Sequence, residues 1–171
     1  HINTLSTFNI HNYMMLDHST IRSLELALSS QNNRKGTLID TLDLSHTPMG
    51  ARLIKEWLLK PLVDKSAIDE RLDIVEEFKN NILLRNDARE HLKEMLDLER
   101  LLGRISLGAA GPRDLVALKT SLRLLPEICK LLSQSHSAAI AKHISAWDNL
   151  ESIVELIDKV IVNDPPFNIN D

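Results

Sequence analysis

The chain has 171 residues, a formal net charge of −4 and 43% hydrophobic residues. This composition excludes a largely disordered chain, and a dedicated DNA-binding module would normally carry an excess of basic residues. The single cysteine excludes an internal disulfide and a cysteine-based zinc site. Leucine occurs 30 times and valine six times. Because unbranched side chains favour helices and sheets favour β-branched ones, we predict an all-α fold of seven or eight helices with Leu-rich seams.

The amino-terminal segment is predicted to hold a lead-in, one short strand and a helix. Residues 1–12 are polar and irregular, as expected of a lead-in or a cloning remnant. His1 in place of a starting Met indicates an excerpt or a processed product. The apolar run 13–16 favours a short strand. Capping side chains in 17–20 then predict a helix with apolar residues at Ile21, Leu24 and Leu28.

Two helices are predicted before residue 61, where a proline ends the pattern. The first is short and covers 37–44. The second begins at Pro48, because proline is tolerated at the first helical position. Its apolar stripe runs through Met49, Leu53 and Trp57.

The middle of the chain predicts two further helices. One begins near Ser66 and places its apolar face on Ile68, Leu72, Val75 and Phe78. Asp87 is predicted to cap the other. That helix carries Leu92, Met95 and Leu96 and continues to Ile105.

The most regular apolar pattern follows the break at 108–112. Pro112 fits a helix start, and steps of three and four residues connect Leu115, Leu118, Leu122, Leu125, Cys129 and Leu132. This seam is typical of a helix packed nearly parallel to another. Because proline removes a backbone hydrogen bond, Pro126 predicts a bend or break at about 122–126.

The last apolar pattern lies at Leu150, Ile153, Ile157 and Val160 and ends before Pro165. We therefore predict a helical core domain over 13–164 and the start of a link over 165–171. The residues predicted to anchor the core are Leu53, Trp57, Leu72, Leu118 and Leu122.

No pattern for catalysis, cofactor binding or metal binding emerges from the sequence. None of the glycines precedes the Lys-Ser or Lys-Thr of a phosphate-binding loop. No two histidines have the three- or four-residue spacing of helical metal ligands. The candidate phosphate contacts are Arg85, Arg89, Lys93 and Arg100. Acidic residues alternate with them, which favours solvated helix faces with weak ion pairs over phosphate binding.

Several short motifs follow one another in order between residues 13 and 132. They include Tyr13-Met-Met-Leu-Asp17, Thr47-Pro-Met-Gly50, Trp57-Leu58, Asp97-Leu-Glu-Arg100 and Pro112-Arg-Asp-Leu115. In this order and with these gaps, they resemble the core domain of the MutS family of DNA mismatch repair proteins. Ser23 departs from the pattern, since the family usually has Asn there.

The resemblance implies a cytoplasmic parent protein that recognises mismatched DNA as a dimer and hydrolyses ATP with magnesium. Its core would join the connector, clamp and ATPase domains, and the parent would engage MutL and no membrane. The chain lacks a Walker motif and the family's Phe-x-Glu mismatch-reading segment, so we expect no cofactor, no enzymatic activity and a transmitting role for it. Two alternatives are a free-standing helical protein–protein interaction module and a small helical enzyme.

Overall fold

A computed structural model describes residues 12–166, and this part of the chain contains ten helices. Eight of them have eight residues or more, which confirms the all-α, multi-helix prediction. The predicted lead-in and link lie almost entirely outside the described residues, so those two boundaries stay predictions. The helices are α1 His18–Ser23, α2 Leu38–Leu42, α3 Pro48–Leu59, α4 Lys65–Asn80, α5 Ile82–Glu94, α6 Leu98–Ser106, α7 Pro112–Leu122, α8 Leu125–Leu132, α9 Ala138–Ser145 and α10 Glu151–Val160.

Polar side chains begin six of these helices by accepting a hydrogen bond from a free backbone N–H of the first turn. Asp64 does so for α4, with Oδ1 accepting from the N–H of Ala67 at 2.8 Å. Asp17 does so for α1, as its sequence position predicts. The corresponding caps of α2, α5, α6 and α9 are Thr37, Asn81, Asp97 and Ser137.

The start of α5 corrects one prediction. Asn81, rather than Asp87, is its N-cap, with Oδ1 accepting from the N–H of Leu84 at 3.1 Å. The helix also ends at Glu94 instead of continuing to Ile105. Because Asp97 caps a new helix, α6 begins there as a separate element.

The region before α2 contains less regular structure than its apolar spacing predicts. Helix α1 ends at Ser23 because Glu25 has a φ of 47°, a left-handed conformation that a right-handed helix cannot continue. The predicted strand at 13–16 is reduced to one antiparallel bridge between Tyr13 and Leu62. The N–H of Met14 donates to the carbonyl of Pro61 at 2.7 Å beside this bridge.

The chain divides into two compact units. Unit 1 comprises residues 1–45 and 50–72, and unit 2 comprises 46–49 and 73–171. In unit 1 the buried apolar side chains are Leu26 and Ile39 among the described residues. In unit 2 a core forms around three buried side chains, Leu118, Leu122 and Ile157.

The seam of unit 2 is interrupted where the sequence predicts. Helix α7 ends at Leu122 and α8 begins at Leu125, so Pro126 lies in the first turn of α8, where its missing N–H has no cost. The predicted break at Pro126 is therefore confirmed. Leu118 and Leu122, two of the predicted anchors, are 6% and 4% exposed.

The other three predicted anchors are not buried. Leu53, Trp57 and Leu72 are 46%, 40% and 56% exposed. Helical spacing identifies the apolar face of a helix, but it does not show whether another element covers that face. The ring of Trp57 is instead covered from one side by the guanidinium of Arg71, which lies 3.8 Å from the ring centroid.

Leu53→Ala is expected to lower the free energy of unfolding by only about 1 kcal/mol. The reason is that the side chain of Leu53 is only about half buried, so that it contributes roughly half of the hydrophobic stabilisation of a buried leucine. Urea denaturation followed by circular dichroism measures this change. A loss of about 3 kcal/mol or more, as for a fully buried leucine, would show that Leu53 is covered in solution.

Candidate interhelical coupling site

Helix α7 is the central element of unit 2. Its residues Leu118 and Leu122 lie in the same core as Ile157 of α10. Half-buried residues of α6 also pack against this core, namely Leu98, Leu101 and Ile105. The spacing of leucines along α7 thus places one helix against two others.

A buried lysine connects α7 to α10 and to the segment after it. Lys119 is 2% exposed, and its Nζ lies 2.8 Å from Oδ1 of Asp158 and 2.7 Å from Oδ1 of Asn163. A buried ammonium group is costly unless it is paired and hydrogen-bonded. These two acceptors satisfy that requirement and hold the end of α10 against α7.

Asp158 also binds a second cation, which lies at the C-cap of α7. Arg123, one helical turn after Lys119, donates from Nη2 to the other carboxylate oxygen of Asp158. The hydrogen bond from Lys119, followed by that from Arg123, holds the pKa of the Asp158 carboxyl below its ordinary value of 3.8. Asp158 is therefore ionised and bridges two cations at neutral pH.

Three further bonds connect α7 to its surroundings within unit 2. The N–H of Leu96, in the turn between α5 and α6, donates to Oγ of the buried Ser121 at 3.0 Å. Arg104 of α6 pairs with Asp114 at 2.9 Å. Arg113 donates from Nε to the carbonyl of Pro165 at 3.2 Å, beyond the end of α10.

The geometry connects α7 to several neighbouring elements of unit 2. Polar side chains along α7 bind α6, the turn before α6, α10 and the segment after α10. If any one of these elements moves, either its bonds to α7 break or α7 moves with it. Within residues 12–166, no group of three or more His, Cys, Asp or Glu side chains could hold a metal ion. In the same residues, no helix is long and apolar enough to cross a membrane.

The pH dependence of stability is expected to reveal the Asp158 bridge. A carboxyl whose pKa is lower in the folded state stabilises the fold above its unfolded pKa and loses that contribution as the pH falls through the folded value. The wild-type chain should thus lose stability below pH 3.8. Asp158→Asn has no carboxyl at this position, so the difference in stability between it and wild type should shrink as the pH falls through 3.8 and towards the lower pKa of the folded state.

Urea denaturation of both proteins across this pH range measures the effect. Lys119→Met serves as the control, because its Asp158 lacks the partner that lowers the pKa most. The control should show a weaker pH dependence than wild type. A constant difference between wild type and Asp158→Asn at every pH would contradict the assignment.

The candidate phosphate contacts form bonds within the chain, with one exception. Arg85 donates to the carbonyl of Phe78 at 3.1 Å. The other two bonded side chains pair with acidic neighbours, Lys93 with Glu90 and Arg100 with Asp97. Arg89 is half-buried on α5, and its side chain has no hydrogen bond or ion pair to another residue in the described range. A phosphate-binding role for these four residues stays a prediction.

Sequence reasoning did not find the Lys119 site. The only local signal is a pair of cations four residues apart, Lys119 in α7 and Arg123 at its C-cap. Their partner Asp158 lies on a helix that begins almost thirty residues later in the chain. Nothing in the sequence pattern pairs residues at that separation.

A comparison with known protein families finds a match over most of the chain. The family model for MutS domain III matches residues 19–171. The chain belongs to the MutS domain III family. The match extends past residue 132, where the motifs found in the sequence end.

Curated relatives support the same assignment. The chain is 44% identical over 172 residues to the DNA mismatch repair protein MutS of Halothermothrix orenii, covering 100% of the chain and 19% of that protein. It is 42% identical over 176 residues to MutS of Methanosarcina mazei, covering 100% of the chain and 20% of the relative. MutS of Clostridioides difficile is 36% identical over 171 residues, with 99% and 18% covered. The chain spans about one fifth of the length of these relatives.

Proposed function

We propose that the chain is the structural core of a MutS-like DNA mismatch repair protein. In this role it links the connector, clamp and ATPase domains and transmits conformational change between mismatch binding and ATP hydrolysis. Membership of the MutS domain III family supports the proposal. The chain itself would perform no chemistry.

The observation that carries the transmitting role is the bonding of α7. Coupling between distant sites requires packed elements that move together between discrete arrangements. Lys119 and Arg123 bind α10 through Asp158, while Ser121 and Asp114 bind α6 and the turn before it. A movement that enters at α6 would thus be passed to α10 and to the segment after it.

The proposal extends to the parent protein. The parent would bind ATP and magnesium in a domain outside this chain, dimerise, bind mismatched duplex DNA and engage MutL. It would act in the cytoplasm, in association with DNA. The names of the relatives support mismatch repair as the process.

A free-standing helical interaction module remains the alternative. Large apolar side chains exposed on α10 favour it, among them Leu156 and Val160. Sequencing the gene on both sides of this segment separates the two. A reading frame that continues into a Walker motif would reject the alternative, and stop codons at both ends would reject the proposal.

The transmitting role is tested in the full-length protein with Asp158→Asn. The variant should retain basal ATP hydrolysis and mismatch affinity but lose at least half of the change in ATPase rate that mismatched DNA produces in wild type. Glu56→Gln, which removes an exposed ion pair with Lys60 in α3, is the matched control. An unchanged mismatch response in Asp158→Asn would reject coupling through this site.

A second measurement tests the prediction that the isolated chain does not recognise mismatched DNA. We expect it neither to hydrolyse ATP nor to prefer mismatched over matched duplexes at physiological salt. The net charge of −4 gives little attraction for phosphates, which supply most non-specific affinity. A fluorescence titration with both duplexes measures this preference. Submicromolar binding that prefers the mismatch would place a DNA-reading surface in this chain.

A further inference from the structure

Unit 1 contains a cavity of about 300 Å³. Its walls are α1, the loop that follows α1, and α3. Its apolar lining comes from Ile21, Ala27, Leu28 and Leu59. A cavity of this size is at the lower end of the range for binding pockets, so it has room for one or two side chains rather than for a large cofactor.

The rim of the cavity is cationic. Arg22 and Lys55 line it, together with His18, and no carboxylate of the described residues does. Within residues 12–166, the side chains of Arg22 and Lys55 have no hydrogen-bond or ion-pair partner. Of the carboxylates next to α1 in the chain, that of Asp17 caps α1 and that of Glu25 accepts from a backbone N–H of the loop at 2.6 Å. The cavity therefore offers positive charge beside an apolar interior.

The loop that forms one wall is held by its own hydrogen bonds. The N–H of Ser29 donates to the carbonyl of Asn33 at 2.8 Å, and the N–H of Asn32 donates to the carbonyl of Ser29 at 2.8 Å. At the start of the loop, the N–H of Leu38 donates to the carbonyl of Glu25 at 3.1 Å, which ties the loop to α2. Backbone hydrogen bonds within the chain therefore hold this wall in place.

We propose that this cavity binds a short acidic peptide segment of a partner protein. An aliphatic side chain of the segment enters the apolar interior, and a neighbouring carboxylate lies between Arg22 and Lys55. Guanidinium and carboxylate groups form two parallel hydrogen bonds, which gives such a contact a defined orientation. The small volume and the cationic rim together fit this occupant.

The test is an NMR titration of the ¹⁵N-labelled 171-residue chain with three acetylated, amidated peptides. The first is Leu-Glu-Leu-Asp, the second is its neutral analogue Leu-Gln-Leu-Asn, and the third is Gly-Glu-Gly-Asp. The first should shift the amide resonances of Ala27 and Leu28. The second should bind about five-fold more weakly, as expected for two exposed ion pairs. The third should leave these two resonances unchanged.

Charge variants provide the matched comparison. Arg22→Gln/Lys55→Gln should weaken the first peptide about five-fold. Lys60→Gln/Lys65→Gln removes the same charge from exposed positions outside the cavity and should leave binding unchanged. Circular dichroism verifies that both variants are folded.

Several results would overturn the proposal. Equal affinity for the acidic and neutral peptides would show that the cationic rim does not contribute to binding. Equal losses of affinity in the two double variants would show that only the net charge of the chain matters. Shifts confined to residues outside the cavity, or no binding of the first peptide, would reject the site. Octanoate that binds more tightly than the peptide would assign the cavity to a free amphiphilic anion instead.

Discussion

Leu118→Ala is expected to lower the free energy of unfolding by about 2–5 kcal/mol, the range found when a buried leucine is truncated. Leu118 is buried on α7 in a core that includes Ile157 of α10 and surrounding side chains of α6. The truncation removes apolar contacts to both neighbouring helices, and a cavity stays behind unless they collapse onto it. Guanidinium denaturation, with the midpoint and slope fitted together, measures the loss.

Leu156→Ala is the matched control, because this leucine of α10 is 61% exposed. Its truncation should cost no more than about 1 kcal/mol. Equal losses for the two variants would show that the helices of unit 2 do not pack around α7 in solution. A steeper slope in only one variant would point to a change in the unfolded chain rather than in the core.

Asp158→Ala is expected to destabilise the chain strongly, because it leaves the buried ammonium of Lys119 without its carboxylate. Breaking a buried ion pair from one side costs far more than replacing both partners together. The double variant Lys119→Met/Asp158→Ala should therefore be more stable than the sum of the losses in Lys119→Met and Asp158→Ala predicts. Arg123 loses a partner in both cases, but its side chain is half exposed and can be solvated.

A complete double-mutant cycle measures this coupling. Asp69→Ala is the control, since it removes an ion pair with Lys65, whose side chain is 88% exposed. This control should have little effect, as exposed pairs contribute little to stability. Additive losses at Lys119 and Asp158 would contradict the coupling site, because residues in direct contact are expected to depart from additivity.

Much of the helical pattern could be predicted from local residues. Asp17 and Pro112 mark helix starts, and Pro126 marks the break in the seam, because capping and proline geometry act within one turn of the backbone. The start of α5 was predicted wrongly at Asp87. Both Asn80 and Asn81 could cap a helix by residue type. Asn81 is the cap because α4 ends at Asn80.

Burial and the coupling site were less predictable. Leu53 and Leu118 lie on similar apolar stripes, yet only Leu118 has helices packed over it. The pairing of Lys119 with Asp158 depends on how α7 and α10 pack, which no local pattern specifies. Charge and spacing identify candidate cations such as Arg85, but only the fold shows that its guanidinium caps the end of α4.

The bonds from α7 beyond the end of α10 bear on where the domain can be cut. Asn163 accepts from Lys119 and Pro165 accepts from Arg113, although both follow the last residue of α10, Val160. A truncation at Val160 would keep every helix and yet remove both acceptors. Cleavage in this short stretch, by limited proteolysis or by truncation, would therefore remove two hydrogen bonds that hold α7, although the residues that accept them lie outside every helix.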